Sequence, residues 1–472
     1  MHQRTTRTGI VCTIGPASRE RDTLRAMIEA GMNLARLNFA HGDFDEHRTT
    51  IADVREAARA AARRVAILAD LPGPKLRIGR LAEQPVELER GQRFTLAVGA
   101  FIGDAKRAST DFRNLPKVVK PGDTVFLNDG LVQLVVETVS EDAIACEVAV
   151  GGTLLSNKGI NIPDVDLGIS AFTERDRACL GFALEQGVDA ISQSFVQTAD
   201  DVLAVREAVR AAGRDVLIFA KIERSRALQR IDEILAAADG IMVARGDLGV
   251  EIPIQNIAVA QKELIAKANR LAKPAITATQ MLLSMVENRR PTRAEVTDVT
   301  NAILDGTDCV MLSEESAIGA HPVEAVRMLC RIAQVSEPQV APRLAPELEA
   351  ADPAGGSQEL VAASVAEMAL RIRPVGVLVP TMAGGMARRI ARYRLPAWIT
   401  AVSPAGAACQ ALQFVYGVRA LHLPDRPASW HAFARDHFED RGKREPAVAH
   451  VLLTEDVEHG EAPVSRLELI EL

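Results

Sequence analysis

The 472-residue sequence predicts an α/β protein built on a closed (β/α)8 TIM barrel, with an inserted β-barrel lid domain and a C-terminal α/β domain. Three observations carry that prediction. Eight short apolar runs alternate with stretches of 3.6-residue periodicity, the pattern of strand–helix units with short connections. The spacing breaks once, where about a hundred residues of different character separate the third run from the fourth. A Pro-, Ala- and Gly-rich stretch, Pro338 to Gly356, then precedes a second series of strands and helices.

The eight runs are Ile10–Thr13, Asn33–Asn38, Val65–Asp70, Ala190–Phe195, Val216–Glu223, Gly240–Ala244, Pro274–Thr279 and Asp308–Ser313. Helical periodicity is clearest from Ile257 to Leu271. Residues 1–70 and 168–337 therefore read as the barrel. Residues 71–167 read as the insert, because Pro121-Gly122-Asp123, Asn128-Asp129-Gly130 and Gly151-Gly152 punctuate short alternating strands as hairpin turns do. The insert leaves the barrel at a strand's C-terminal end, the side where barrel active sites form, so it is expected to act as a lid. Residues 338–356 read as a linker. Residues 357–472 form the third domain, with strands expected at Val375–Val379, Ile399–Val402, Val418–Leu423 and Ala449–Leu453.

Composition narrows the function. Apolar residues make up 48% and charged residues 25%, the profile of a globular chain long enough for about three cores. Net charge is -7, and the basic clusters Arg63–Arg64 and Arg388–Arg389 are short, so neither nucleic acid nor a membrane surface is an expected partner. Only two Trp and two Tyr are present, which leaves little for base stacking. The six Cys are scattered without a C-x-x-C pair, mostly inside apolar runs, which suggests reduced, buried thiols in a cytoplasmic protein. No signal core and no window of about 18 apolar residues occurs.

The chemistry concentrates at strand ends. Lys221 and Glu223 close the fifth run two residues apart, so both project to one face at the barrel mouth. Burying an ammonium and a carboxylate there is costly unless they pair or bind a metal, and on this segment alone both readings stand. Asp247, just after the next strand, changes the balance. Glu223 and Asp247 come within reach of one divalent cation, and oxygen ligands with open positions suit magnesium or manganese. Gly246 is either a simple turn residue or a place where backbone N–H groups receive an anionic oxygen. Thr277 and Thr279 share a face, with Thr279 nearer the mouth. Arg36 and Asn38 alternate onto one face of the second strand, followed by His41, and Arg suits bidentate phosphate binding. Lys158 lies on the return from the lid. Two carboxylates, a lysine, an arginine and a backbone anion site suit phosphoryl transfer, which relies on positioning and charge stabilisation. No G-x-x-x-x-G-K-[ST] loop and no protein-kinase signature is present, so a nucleotide must be held another way.

The segments Val11–Ser18, Ala35–Gly42, Ser156–Gly159, Met242–Glu251, Thr277–Leu282, Arg290–Glu295 and Ala302–Asp308 resemble the signatures of the pyruvate kinases. The resemblance is strong from about residue 9 to 335 and weaker beyond. It implies transfer of the phosphoryl group of phosphoenolpyruvate to ADP, giving pyruvate and ATP, in the last step of glycolysis. It implies that Glu223 and Asp247 hold Mg2+ (or Mn2+), and that Lys221 stabilises the transferring group. Arg36 would clamp the phosphoryl group, and Gly246 and Asp247 amides would hold the substrate carboxylate. Thr279 would sit where the enolate is protonated. Arg36, His41, Arg77 and Lys158 would line the nucleotide side. A homotetramer with an effector-binding third domain is expected.

Members of the family mostly hold potassium beside the substrate through an Asn, a Ser, an Asp and a Thr, with a Glu nearby. Here Asn38 and Asp70 remain, while Ala40 and Leu71 supply no side-chain oxygen and Lys75 stands at the Glu position. A fixed ammonium there would replace the ion, so K+ is expected not to be required. The alternative function is a magnesium-dependent aldolase or lyase acting on pyruvate enolate, for which the lid, Lys158 and Arg77 would be unneeded.

Overall fold

The computed structural model describes residues 4–342, 356–442, 450–459 and 462–472. Eight of its strands close a parallel barrel: β1 (Gly9–Thr13), β2 (Leu34–Asn38), β3 (Ala66–Leu71), then after the insert β12 (Ala190–Gln193), β13 (Leu217–Ile222), β14 (Gly240–Ala244), β15 (Ala275–Ala278) and β16 (Cys309–Leu312). These are the eight expected runs, Gly240–Ala244 with its bounds unchanged and the others with bounds moved by a residue or two. Parallel strands buried on both faces need near-continuous apolar sequence, which is why they stand out in the chain. β1 pairs with both β2 and β16, so no edge is left open. Phe219, Met242, Ile276 and Met311 fill the barrel interior, while the larger core lies between barrel and surrounding helices. Capping boxes at Asp43/Glu46, Thr173/Asp176 and Thr292/Glu295 fix where three of those helices begin.

Residues 72–167 carry β4 (Val86–Leu88), β5 (Arg93–Val98), β6 (Arg107–Thr110), β7 (Thr124–Leu127), β8 (Val132–Val139), β9 (Ala143–Val150), β10 (Gly152–Leu154) and β11 (Ile160–Asn161). Six form one sheet in the order β11-β7-β8-β9-β5-β6, and β4 pairs with β10. The sheet is not closed by a continuous ladder. Its two ends meet through single bridges, Ile78 to Thr110 beside β6 and Arg77 to Gly159 beside β11, which curl it around its own core of Phe94, Leu96, Val125 and Leu134.

The third domain has the parallel strands β17 (Gly376–Pro380), β18 (Ile399–Ser403) and β19 (Val418–His422), flanked by β20 (His450–His459) and β21 (Ala462–Glu471), in the order β19-β18-β17-β20-β21. β21 is absent from the expected strands, and β20 runs six residues beyond its expected end at Leu453. Both run antiparallel as one hairpin, whose charged residues Glu455, Asp456 and Glu458 mask the strand pattern in sequence. Residues 343–355 of the expected linker lie outside the described residues. Phe414 leaves this domain and packs against Phe219 in the barrel floor, ring centroids 4.9 Å apart. Among the described residues, no helix is long and apolar enough to cross a membrane, and all six cysteines are buried and free.

Candidate active site

Parallel register lines up the C-terminal ends of β1, β2, β3, β12 and β13, and with them a connected set of polar side chains. Arg36 lies in the interior row of β2; its Nη1 donates to Thr13 Oγ1 at 2.8 Å and its guanidinium binds Asp70 Oδ2 through Nε (3.1 Å) and Nη2. Ser192 Oγ donates to Asp70 Oδ1 at 2.5 Å, and Lys221 Nζ lies 3.5 Å from the same oxygen. Lys221 Nζ also reaches Glu223 Oε1 (2.9 Å) and Ser194 Oγ (2.7 Å). Glu223 Oε2 accepts the backbone N–H of Phe195 at 2.7 Å. Phe195 adopts φ +57 at this contact, unusual for a bulky residue.

Charges in this row hold one another. Burial works against the Asp70 carboxylate, but Arg36, Lys221 and Ser192 outweigh it and keep its pKa below the ordinary value. Burial alone would lower Lys221; Asp70 and Glu223 outweigh it, and its pKa is raised. Glu223 goes the other way. Burial, with the nearby charge of Asp247, raises its pKa despite Lys221.

Asp247 lies in the helix Arg245–Glu251 that starts at the end of β14. The Glu223 and Asp247 carboxylates repel one another across a site that supplies only oxygen donors, which is the donor chemistry that suits magnesium or manganese. Among the described residues no third His, Cys, Asp or Glu joins them, so the remaining donors to such an ion would be substrate and water. The residues fit a divalent ion.

Gly246 sits under Thr279. A Cβ on Gly246 would lie 2.7 Å from Thr279 Cγ2, so no other residue fits there without displacing the threonine. Thr279 has φ +76, a strained conformation for a β-branched residue. Arg245 holds it: Nη2 donates to Thr279 O (2.8 Å), Nε to Ala278 O (3.2 Å), and Nη1 pairs with Asp298 Oδ1 at 2.7 Å. Thr277 is buried and bonds Thr307 Oγ1 at 2.9 Å, a structural role.

The other expected residues are placed less centrally. Lys75 Nζ is 3.2 Å from Asp247 Oδ1, so its charge goes to that carboxylate, whereas the sequence set it beside Asn38 and Asp70. Asn38 Oδ1 accepts the Ala40 N–H at 3.1 Å and closes the turn after β2. His41 is exposed in that turn, its carbonyl 2.9 Å from His47 Nε2. Arg77 donates to Asn157 O at 2.9 Å, and Lys158 accepts the Ile78 N–H through its carbonyl, so both belong to the paired ends of the insert. That pairing adjoins the mouth, because a Cβ on Gly159 would lie 3.4 Å from Lys75 Cε.

Ser192, Ser194, the Phe195 N–H and Arg245 were not singled out from sequence. The alternation Ser192–Gln193–Ser194 beside a strand bearing Lys221 and Glu223 was the available signal for the serines. For Phe195 and Arg245 none existed, since their contributions arise from backbone twist and from contacts made only in the fold.

Two family models match the chain, "Pyruvate kinase, barrel domain" over residues 5–326 and "Pyruvate kinase, alpha/beta domain" over residues 359–455. The chain is 47% identical over 416 residues to a pyruvate kinase of Thermococcus litoralis, covering 87% of this chain and 88% of that one. It is 44% identical over 421 residues to a pyruvate kinase of Geobacillus stearothermophilus, covering 89% and 72%. A pyruvate kinase of Mycobacterium tuberculosis is 40% identical over 421 residues, covering 89% and 88%.

Proposed function

Since the chain belongs to the pyruvate kinase family and is a phosphotransferase of that type, we propose that its barrel-mouth site moves the phosphoryl group of phosphoenolpyruvate onto ADP. The observation that carries this reading is the row Arg36–Asp70–Lys221–Glu223 with Asp247 beside it. Glu223 and Asp247 would hold Mg2+ (or Mn2+), which when bound supplies a Lewis acid to substrate oxygens. Lys221, kept charged by Asp70 and Glu223, stabilises negative charge on the group in flight. Arg36, already fixed by Thr13 and Asp70, clamps that group. The amides of Gly246 and Asp247 take the substrate carboxylate, and Thr279 stands where a proton reaches the enolate. Arg36, His41, Arg77 and Lys158 line the nucleotide side, with residues 71–167 acting as a lid over a barrel of residues 1–70 and 168–337. The enolate-lyase alternative has no support among the relatives. Phosphorus NMR of enzyme, magnesium, phosphoenolpyruvate and ADP tests the reading: the phosphoenolpyruvate resonance gives way to those of ATP. A phosphoenolpyruvate signal that stays constant contradicts it.

Gly246→Ala tests the geometry around Thr279. Arg245 pins the threonine from behind, so the added methyl must shift it or the anion-binding amides. A displacement of this kind costs turnover on the order of a hundredfold. Steady-state kinetics on a variant with wild-type circular dichroism shows it.

The reaction needs no potassium in this reading. Ala40 and Leu71 offer no side-chain oxygen, Arg36 and Lys221 already neutralise Asp70, and Lys75 adds a covalent cation at Asp247. A captured monovalent ion would meet repulsion from all three. Activity in tetramethylammonium buffer equals that in potassium chloride; strong stimulation by potassium overturns this point. The buried, free thiols suit the cytoplasm, and residues 357–472 provide the effector and assembly domain of a homotetramer.

A further inference from the structure

Arg224 and Glu251 are buried at the barrel mouth, outside the set of residues that would touch metal or substrate. Arg224 directly follows Glu223 after β13. Glu251 ends the helix that carries Asp247, four residues and about one turn further on. Arg224 Nη1 lies 3.1 Å from Glu251 Oε1, with the two side chains 6% and 1% exposed. This ion pair joins the segment of one candidate metal ligand to the segment of the other. Both ligands sit beyond Ile222 and Val243, the last paired residues of β13 and β14, where the strand ladder has ended.

The insert docks on the same pair. Asn161, at the end of β11 on the return from the insert, donates through Nδ2 to Glu251 Oε1 at 3.2 Å. The Asp164 N–H reaches Ser225 Oγ at 3.4 Å. Arg224 also lies over the Phe195 ring, its guanidinium carbon 5.3 Å from the centroid, and the Phe195 N–H donates to Glu223 Oε2. The outgoing connection of the insert meets Phe195 as well, since a Cβ on Gly73 would lie 2.8 Å from Phe195 Cδ2 and 2.9 Å from Ser194 Cβ. Both connections of the insert therefore converge on residues that border Glu223.

Two carboxylates that share a divalent ion must be held at a set spacing against their mutual repulsion. A buried ion pair seldom stabilises more than apolar residues of the same volume, but its directional hydrogen bonds fix relative position as apolar packing does not. We propose that the Arg224–Glu251 pair is a positioning brace that holds Glu223 and Asp247 at the spacing a divalent ion requires, and that Asn161 ties the insert to this brace. The proposal rests on Glu223 and Asp247 being the metal ligands, and it couples metal binding to the seating of the insert.

Electron paramagnetic resonance of Mn2+ titrated into the chelator-stripped full chain, without substrate, tests the brace. Wild type should bind Mn2+ saturably. Arg224→Met combined with Glu251→Gln removes both charges, leaves neither partner as an unpaired buried charge and keeps an acceptor for Asn161. It should raise the Mn2+ Kd by about tenfold or more, the usual effect of losing a group that orients a metal ligand. Glu251→Asp keeps the charge pair, and with it the fold, but shortens the brace by one methylene; it should raise Kd by about threefold or more. A purely structural role would lower the thermal midpoint without moving Kd. Hydrogen–deuterium exchange tests the tie to the insert: Mn2+ should slow exchange at residues 160–164 in wild type and not in Asn161→Ala. An unchanged Mn2+ Kd in either brace variant with a wild-type thermal midpoint, or insert protection that persists in Asn161→Ala, overturns the proposal. Absence of saturable Mn2+ binding by wild type up to about 5 mM overturns the metal assignment and the proposal with it.

Discussion

Glu223→Gln and Asp247→Asn each lower kcat by on the order of a thousandfold or more while leaving the fold intact. Each change deletes one ligand charge from a pair of carboxylates and keeps the side-chain shape. In Glu223→Gln, an amide oxygen can still accept the Phe195 N–H, and Lys221 keeps Ser194 and Asp70 as partners. Circular dichroism and thermal midpoints close to wild type check the fold, and a raised magnesium requirement in residual activity separates metal loss from general damage. Retention of more than about a tenth of wild-type kcat by either variant contradicts the metal assignment.

Lys221→Met lowers kcat by on the order of a hundredfold or more, equivalent to about 2.7 kcal/mol of transition-state stabilisation. The ammonium is buried and fixed by three oxygens, Asp70 Oδ1, Glu223 Oε1 and Ser194 Oγ, so it needs no reorganisation when charge develops beside it. Methionine fills much the same volume without charge. Breaking one side of a buried ion pair commonly destabilises by about 3–5 kcal/mol. Here the loss should be smaller, because Arg36 and Ser192 still satisfy Asp70 and the Phe195 N–H still satisfies one oxygen of Glu223. The effect should therefore appear in kcat at 25 °C more than in stability. A near-normal kcat contradicts the assigned role.

The barrel strands are legible because burial on both faces leaves runs such as Leu217-Ile-Phe-Ala-Lys-Ile222, in which a lysine is conspicuous. Charge-bearing positions at strand ends are legible for the same reason: Arg36, Lys221 and Glu223 interrupt otherwise apolar segments. What the chain conceals is geometry made by neighbours. Ser192 and Ser194 are unremarkable in a strand until register sets them against Asp70 and Lys221. The positive φ of Thr279 and its hold by Arg245 depend on a loop conformation that no local pattern marks. Lys75 illustrates a different limit. Its sequence neighbours place it near Asp70, but its flexible stem carries the charge across the mouth to Asp247. The β20–β21 hairpin is concealed because its charged, alternating residues read as loop.

We propose that two carboxylates and a buried lysine at this barrel mouth support metal-dependent transfer from phosphoenolpyruvate to ADP. The most direct test is pyruvate formation measured through lactate dehydrogenase, on enzyme stripped with chelator and then titrated with magnesium. Activity absent after stripping and restored saturably by magnesium, with ADP required and with Glu223→Gln regaining only residual activity at higher magnesium, is the predicted result. Equal pyruvate formation in the stripped enzyme, or restoration in Glu223→Gln at the same magnesium concentration as in wild type, contradicts the account.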